Sequence, residues 1–194
     1  SNAKTQLDKW YATNIVGKTD ADGNLLTNYI VDAKFCNDRS ITNKTYNSGY
    51  KLSQHTFYSP YTRLYQNTNK TATLKCSSDM RDQFSTTSSR GNAKLTYPVA
   101  LITADEVALA GGKYKTKNEN YYLRTNGYFW TMTPSYFYAS HAYAFVWHVN
   151  PTGNIVDSWV TISVGVRAVI NLRSDLLISS GDGTVENPYQ LTLR

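Results

Sequence analysis

Three histidines, two cysteines and a crowd of aromatic rings are the side chains of this sequence with chemistry to offer. Histidine is the usual acid, base and metal ligand, yet His55, His141 and His148 show no HExxH-type spacing. On a strand through 142–149, His141 shares a face with Tyr143, Phe145 and Trp147, while His148 falls on the other face. The two do not converge. A hydrolase needs a nucleophile with a base in reach, and this spacing supplies none, so no catalytic residue, cofactor or metal is expected. Asp182, in the Gly181-Asp182-Gly183-Thr184 turn, is one carboxylate where calcium wants roughly six to eight oxygen ligands. It reads as a turn residue.

Cys36 and Cys76 fit no metal motif. They are either one disulfide, closing a loop of about 40 residues and worth roughly 4 kcal/mol in the chain-entropy model, or two buried free thiols. The chain holds 16 Tyr and 4 Trp. Tyr128, Trp130, Tyr136, Tyr138, His141, Tyr143, Trp147 and Trp159 concentrate in one stretch with polar neighbours. Half of any strand's side chains face the core, so about half of these rings are packing. The rest offer large, rigid, amphipathic contact area suited to glycans or protein partners.

The elements that must position these groups are read from periodicity. In Gly165 to Leu172, GVRAVINL, the residues Val164, Val166, Ala168, Ile170 and Leu172 share one face of a half-buried strand. Arg167 lies on the other face, and in so apolar a strand it calls for a carboxylate partner. Leu101 to Gly112 carries the best helix signal: Thr103 and Glu106 form a capping box, and Gly111-Gly112 ends the helix. Asp105 and Glu106 suit its positive N-terminus. Thr5 to Val16 reads as an amphipathic helix with Leu7, Trp10, Tyr11 and Ile15 inward. Leu25 to Cys36 fits a strand or a second short helix. Residues 37–62 read as loops with short strands, and 85–92 as the most loop-like stretch. Tyr128 to Met132 is a strand that Pro134 breaks, and Ala142 to Val149 continues the pattern. After the turn at 151–154 come Ile155 to Thr161, then GVRAVINL, then a hairpin of Leu176 to Ser179 with Tyr189 to Leu193.

At 194 residues the chain suits one domain with a sizeable core. Ser1-Asn2-Ala3 has the form of a remnant of tag removal, leaving 4–194 as the domain. The formal charge of +6 permits attraction to anionic polymers, but the basic residues are scattered apart from Lys113, Lys115 and Lys117. No nucleic-acid-binding signature accompanies them, so no nucleic-acid partner is expected. No apolar run approaches the roughly 18 to 20 residues that span a bilayer, and no membrane insertion is expected.

Taken in order, FCNDRS at 35–40, YPVALITADEVALAGG at 97–112, YFWTMTPS at 128–135, GVRAVINL at 165–172 and GDGTVENPY at 181–189 resemble an uncharacterised domain family. Its members are secreted or surface-anchored proteins of Gram-positive gut bacteria. That family in turn resembles the formylglycine-generating, sulfatase-modifying proteins of C-type lectin-like fold. Their helix signature ending in Gly-Gly parallels Leu101 to Gly112, and their closing Gly-Phe-Arg-Val-Val strand parallels Gly165 to Val169. The resemblance implies an α+β fold with two helices flanking small twisted antiparallel sheets with long loops. It implies that Arg167 faces the helix opening at Thr103, with Asp105 or Glu106 as its partner. It places the ligand face between Tyr128 and Gly165, where Tyr136, Tyr138, His141, Trp147, Asp157 and Trp159 are the expected exposed members. The chain has no cysteine after Cys76, so the copper-dependent oxidation of that superfamily is not expected. Nor does it carry the Glu-Pro-Asn, Gln-Pro-Asn or Trp-Asn-Asp triplets of calcium-dependent sugar capture.

The reading that follows is a non-catalytic extracellular recognition module for a glycan or a surface protein, part of a longer multidomain chain. An enzyme acting on cell-wall or host material is the alternative. A structural spacer is the third.

Overall fold

The computed structural model describes residues 1–43, 51–65, 71–90, 93–184 and 186–193. In chain order its helices are α1 (Asn2–Asn14), α2 (Ser59–Leu64) and α3 (Ala104–Leu109). Its strands are β1 (Phe35–Cys36), β2 (Ile41–Thr42), β3 (His55–Tyr58), β4 (Gln83–Phe84), β5 (Ala100–Leu101), β6 (Lys113–Tyr114), β7 (Phe129–Tyr138), β8 (Tyr143–Val149), β9 (Asn154–Trp159), β10 (Ala168–Val169), β11 (Leu177–Ser180) and β12 (Gln190–Thr192). The fold is mixed α+β, with few helices around one main sheet. Among the described residues no helix is long and apolar enough to cross a membrane.

Leu7, Tyr11 and Ile15 lie four apart and so on one stripe of α1. They bury against Val99, with Ala168 and Ile170 packed alongside. Trp10, expected in the core, is 39% exposed. One residue before Tyr11 it is rotated by about 100° from that stripe. The helix starts earlier than expected because the Ser1 side chain accepts a hydrogen bond from the Lys4 amide. Leu25 to Cys36 resolves into a single 3₁₀ turn, Leu26–Tyr29, and the short β1.

The main sheet runs β2-β3-β7-β8-β9-β6, with every pair antiparallel except β6 with β9. One face carries the core: Phe57, Phe129, Tyr136, Trp147, Val149 and Ile155. It is covered by α2, through Tyr61 and Leu64, and by α3, through Ala104 and Val107. Within 37–62 the short strands are present, but α2 is an addition to that reading. It begins at Ser59 with Pro60 in its first turn, where a proline's missing N–H costs nothing. Residues 44–50 of the same stretch, and 91–92 of the loop at 85–92, lie outside the described residues.

Pro134 does not end its strand. β7 is 10 residues long and runs through Pro134 to Tyr138, and its register with β8 shifts on either side of Pro134. A bulge releases the ladder from needing a proline N–H. It also changes which side chains face inward. Thr131, Thr133 and Ser135 are buried by simple alternation, and Tyr136, the very next residue, is buried too. From there Tyr136 and Tyr138 hold the inner face that alternation alone would give to Phe137.

GVRAVINL pairs as a strand only at Ala168 and Val169, against β5. Gly165 bridges to Phe129, and Leu172 to Ile30. Its predicted inner face is split: Ala168 and Ile170 pack near α1, but Val166 and Leu172 are exposed. Gly165 is required by close approach, because a Cβ there would meet the Tyr128 carbonyl oxygen at 2.7 Å.

The partner expected for Arg167 is a correction. Its guanidinium donates to the Leu123 carbonyl and lies 5.5 Å over the Phe129 ring. Asp105 and Glu106 are already engaged. Asp105 accepts from Arg63 at 3.0 and 2.9 Å and from the Thr73 amide at 3.1 Å. Glu106 accepts from the Thr103 amide at 2.7 Å and completes the predicted capping box. Arg167 is only half-buried, so a carbonyl, a ring and water suffice without a carboxylate.

Cys36 and Cys76 are joined in a disulfide, with Cα atoms 4.9 Å apart. It ties the irregular segment 71–78 to β1. The last hairpin, β11 with β12, turns through Gly181 and Gly183, and Asp182 accepts from the Thr184 amide at 3.0 Å as a turn residue does.

Candidate functional site: an aromatic pile at the open end of the sheet

Cross-strand register sets the site. His55 faces Tyr138 and Phe57 faces Tyr136 across β3 and β7. Tyr136 faces Phe145 and Tyr138 faces Tyr143 across β7 and β8. Phe145 faces Trp159 and Trp147 faces Asp157 across β8 and β9. Directly opposed side chains on one face lie close enough for rings to stack. The result is one continuous aromatic ladder across four strands.

Its inner part is core. Trp147 is fully buried, with Tyr114 edge-on at 5.8 Å, and Tyr136 stacks on Phe145 at 4.1 Å. Tyr136 and Trp147, expected at the ligand face, are therefore corrected to packing residues. The Pro134 bulge turned the first inward, and the α2–α3 cover closes over the second. His55 is buried as well, stacked on Tyr138 at 4.1 Å.

The outer part is open. Tyr138 is half-buried, His141 is exposed, Tyr143 is 41% exposed and Trp159 is 47% exposed. Consecutive rings in the order Tyr138, His141, Tyr143 and Trp159 lie 4.4, 5.6 and 5.0 Å apart. His141 joins from the 3₁₀ turn Ala139–His141 and not from the strand as expected. The turn closes through Ala142 at φ 54, and its fold-back sets the imidazole between the two tyrosines. Tyr143 is the member that the six expected ligand residues left out. A sequence signal for the whole pile exists: between Arg124 and Arg167 the chain carries a single formal charge, Asp157.

Asp157 is half-buried beside the pile and accepts a hydrogen bond from the Ser135 hydroxyl at 3.1 Å. Burial pushes its carboxyl above the ordinary range, against the pull of Ser135 and Lys115. The neighbouring Tyr114 hydroxyl is pushed up by burial first and by the Asp157 charge second. On the sheet's other face His148 is buried between Tyr128 and Trp130, with ring centroids at 5.8 and 5.5 Å. Burial pushes its pKa down, so it packs as a neutral ring.

A second polar cluster lies on the far side of α2. Arg63 bridges Asp38 at 2.7 Å and Asp105 at 2.9 Å. A cleft of about 170 Å³ opens beside it, lined by Cys36, Asn37, Thr103 and Glu106 among others. Burial opposes the charge on Arg63, but Asp105 and Asp38 outweigh it and hold its pKa above the usual value. The same balance, with Ser40 and Arg63 overcoming burial, holds Asp38 below the carboxylate range. With one cation between two carboxylates the cluster keeps a net charge of −1, and it joins the loop after β1, α2 and α3. It was not legible in sequence because Asp38, Arg63 and Asp105 belong to three separate elements. Among the described residues no group of three or more His, Cys, Asp or Glu is placed to hold a metal ion.

No family model, no curated protein and no solved structure matches the chain.

Proposed function

We propose that the protein is a non-catalytic extracellular recognition module, binding a glycan or a surface protein of its surroundings through the outer aromatic pile. The observation that carries this is the pile itself: Tyr138, His141, Tyr143 and Trp159 held in contact on a rigid sheet, yet open to solvent. Rings fixed by their neighbours lose little conformational freedom on binding, which is what a recognition surface requires. The half-buried Asp157 carboxylate, which accepts from the Ser135 hydroxyl, adds a polar group beside the rings.

The Cys36–Cys76 disulfide supports an oxidising, extracellular setting, where such bonds persist. The resemblance to secreted and surface-anchored proteins of Gram-positive gut bacteria points the same way, toward one module of a longer multidomain chain. A C-type lectin-like arrangement is the finer fold reading. Its support is the capped α3 leading from β5, the pairing of β5 with the GVRAVINL strand, and the packing of that strand near α1.

A screen of the protein against a glycan array and a panel of bacterial and host surface proteins tests the proposal, run beside a Trp159→Ala/Tyr138→Ala variant. Wild type is expected to capture a ligand that the folded variant loses. Capture that the variant retains in full would overturn it.

A further inference from the structure

The ligand class is encoded in what the pile lacks. From residue 125 to 166 the chain supplies β7, β8, β9 and every outer ring. Of its 20 Lys and Arg and 14 Asp and Glu, only Asp157 falls there, half-buried against Ser135. On a protein of net charge +6, the strands that build the pile thus contribute no cation to it. Its polar groups are hydroxyls interleaved with rings: Tyr138, Ser140, Tyr143 and Thr161.

The stacking identifies where a ligand ring sits. Tyr138, His141, Tyr143 and Trp159 tilt against one another by 33°, 39° and 30°. Tyr143 thus lies between His141 and Trp159, and the row fills its own length. Trp159 ends it. The other ring contact described for Trp159 is Phe145, at 6.1 Å and 77°. Val160 and Ile162, 49% and 39% exposed, follow Trp159 in the chain, and the Ile162 amide donates to the Trp159 carbonyl at 3.1 Å.

Resting on the recognition reading above, we infer that this patch binds an uncharged saccharide chain, with one sugar ring stacked on the outward side of Trp159. A sugar ring offers an apolar C–H face to the indole and hydroxyls to the neighbouring oxygens, and it needs no counter-charge. An anionic polymer needs Lys or Arg in contact for its charge-assisted bonds, and this segment has neither. The centre of a protein interface is also aromatic and poor in charge, so a protein ligand is kept as an outcome of the test.

The test is a titration, by intrinsic tryptophan fluorescence and calorimetry, with hexasaccharides of cellulose, xylan, mannan and chitin, and with heparin and polygalacturonate as anionic probes. At least one neutral hexasaccharide is expected to bind, with affinity constant to about twofold between roughly 50 and 500 mM salt, because an uncharged ligand releases no counterions. Trp159→Ala is expected to weaken that binding by about tenfold or more, with an unchanged circular dichroism spectrum. Binding confined to the anionic probes and falling steeply with salt would overturn the inference. So would neutral-sugar binding that survives Trp159→Ala, or the failure of all four neutral hexasaccharides to bind wild type. A protein ligand lost on Trp159→Ala would overturn the saccharide while leaving the recognition reading standing. If no ligand of any class depends on Trp159, both fall.

Discussion

Trp147 and Trp159 sit on adjacent strands, on the same face of one sheet, joined through Phe145 and Asp157 by register, and they differ in exposure from 0% to 47%. Both are tryptophans in strands of similar composition. What separates them is cover. α2 and α3 lay Tyr61, Leu64 and Val107 over the middle of the ladder, while its outer end, reached by the β7–β8 turn and the end of β9, stays open. One kind of side chain thus serves as core in one place and as contact surface a few residues away. The lesson is that the function of an aromatic here is set by what packs on top of it.

The comparison can be broken most directly at Trp147. Trp147→Ala should cost about 3–5 kcal/mol of unfolding free energy, the range for removing a large buried aromatic. Denaturant melts would check it, and a loss below about 1 kcal/mol would mean the inner ladder is not core. Arg63→Met comes next, at roughly 3 kcal/mol, since it strands the Asp38 and Asp105 carboxylates without their cation. Adding Asp105→Asn to that variant should recover part of the loss, as the two sites share one interaction.

Two half-buried carboxylates should respond to pH in opposite directions. Asp38 is held below the ordinary carboxylate range, so its contribution is present at neutral pH and lost as pH falls through its folded value. Asp157 is held above that range, so it favours the fold when protonated, and stability declines as pH rises through its folded value. Asp157→Asn should therefore melt higher than wild type at pH 7, with the difference closing as pH falls below the unfolded carboxylate value. An unchanged gap across that window would show that Asp157 is solvated in the folded state. The smallest stability effect belongs to Trp159→Ala, within about 0.5–1 kcal/mol as for an exposed position. A larger loss would place Trp159 with the core and erase the contrast with Trp147.

Part of this arrangement is legible along the chain. The Thr103–Glu106 box, the stop at Gly111, the stripe of Leu7, Tyr11 and Ile15, and the hairpin around Gly181 and Gly183 all follow from neighbours within about one turn. Tyr138, His141 and Trp159 were expected as exposed rings, but Tyr138 lay past the expected break at Pro134 and His141 was placed on the following strand, whereas they sit in β7 and in a 3₁₀ turn. Tyr136 and Trp147 were misplaced because alternation fixes a face and says nothing of what covers it. Pro134 reads as a stop until the β8 register shows it at a bulge. Arg167 reads as an ion-pair member, yet Arg63 holds that role. Nothing local ties Arg63 to Asp38 or Asp105, which lie 25 and 42 residues away.

By itself the sequence determined the cap and stop of α3, the glycine turns, the two cysteines able to pair and a run of aromatics with almost no charge, while the α+β class came from the resemblance. Only the tertiary structure decided which rings stay wet, which carboxylates meet Arg63 and where the GVRAVINL strand ends. The reason is physical. Caps and turns are settled by hydrogen bonds between near neighbours, whereas burial and charge pairing are settled by whichever distant element arrives to displace water.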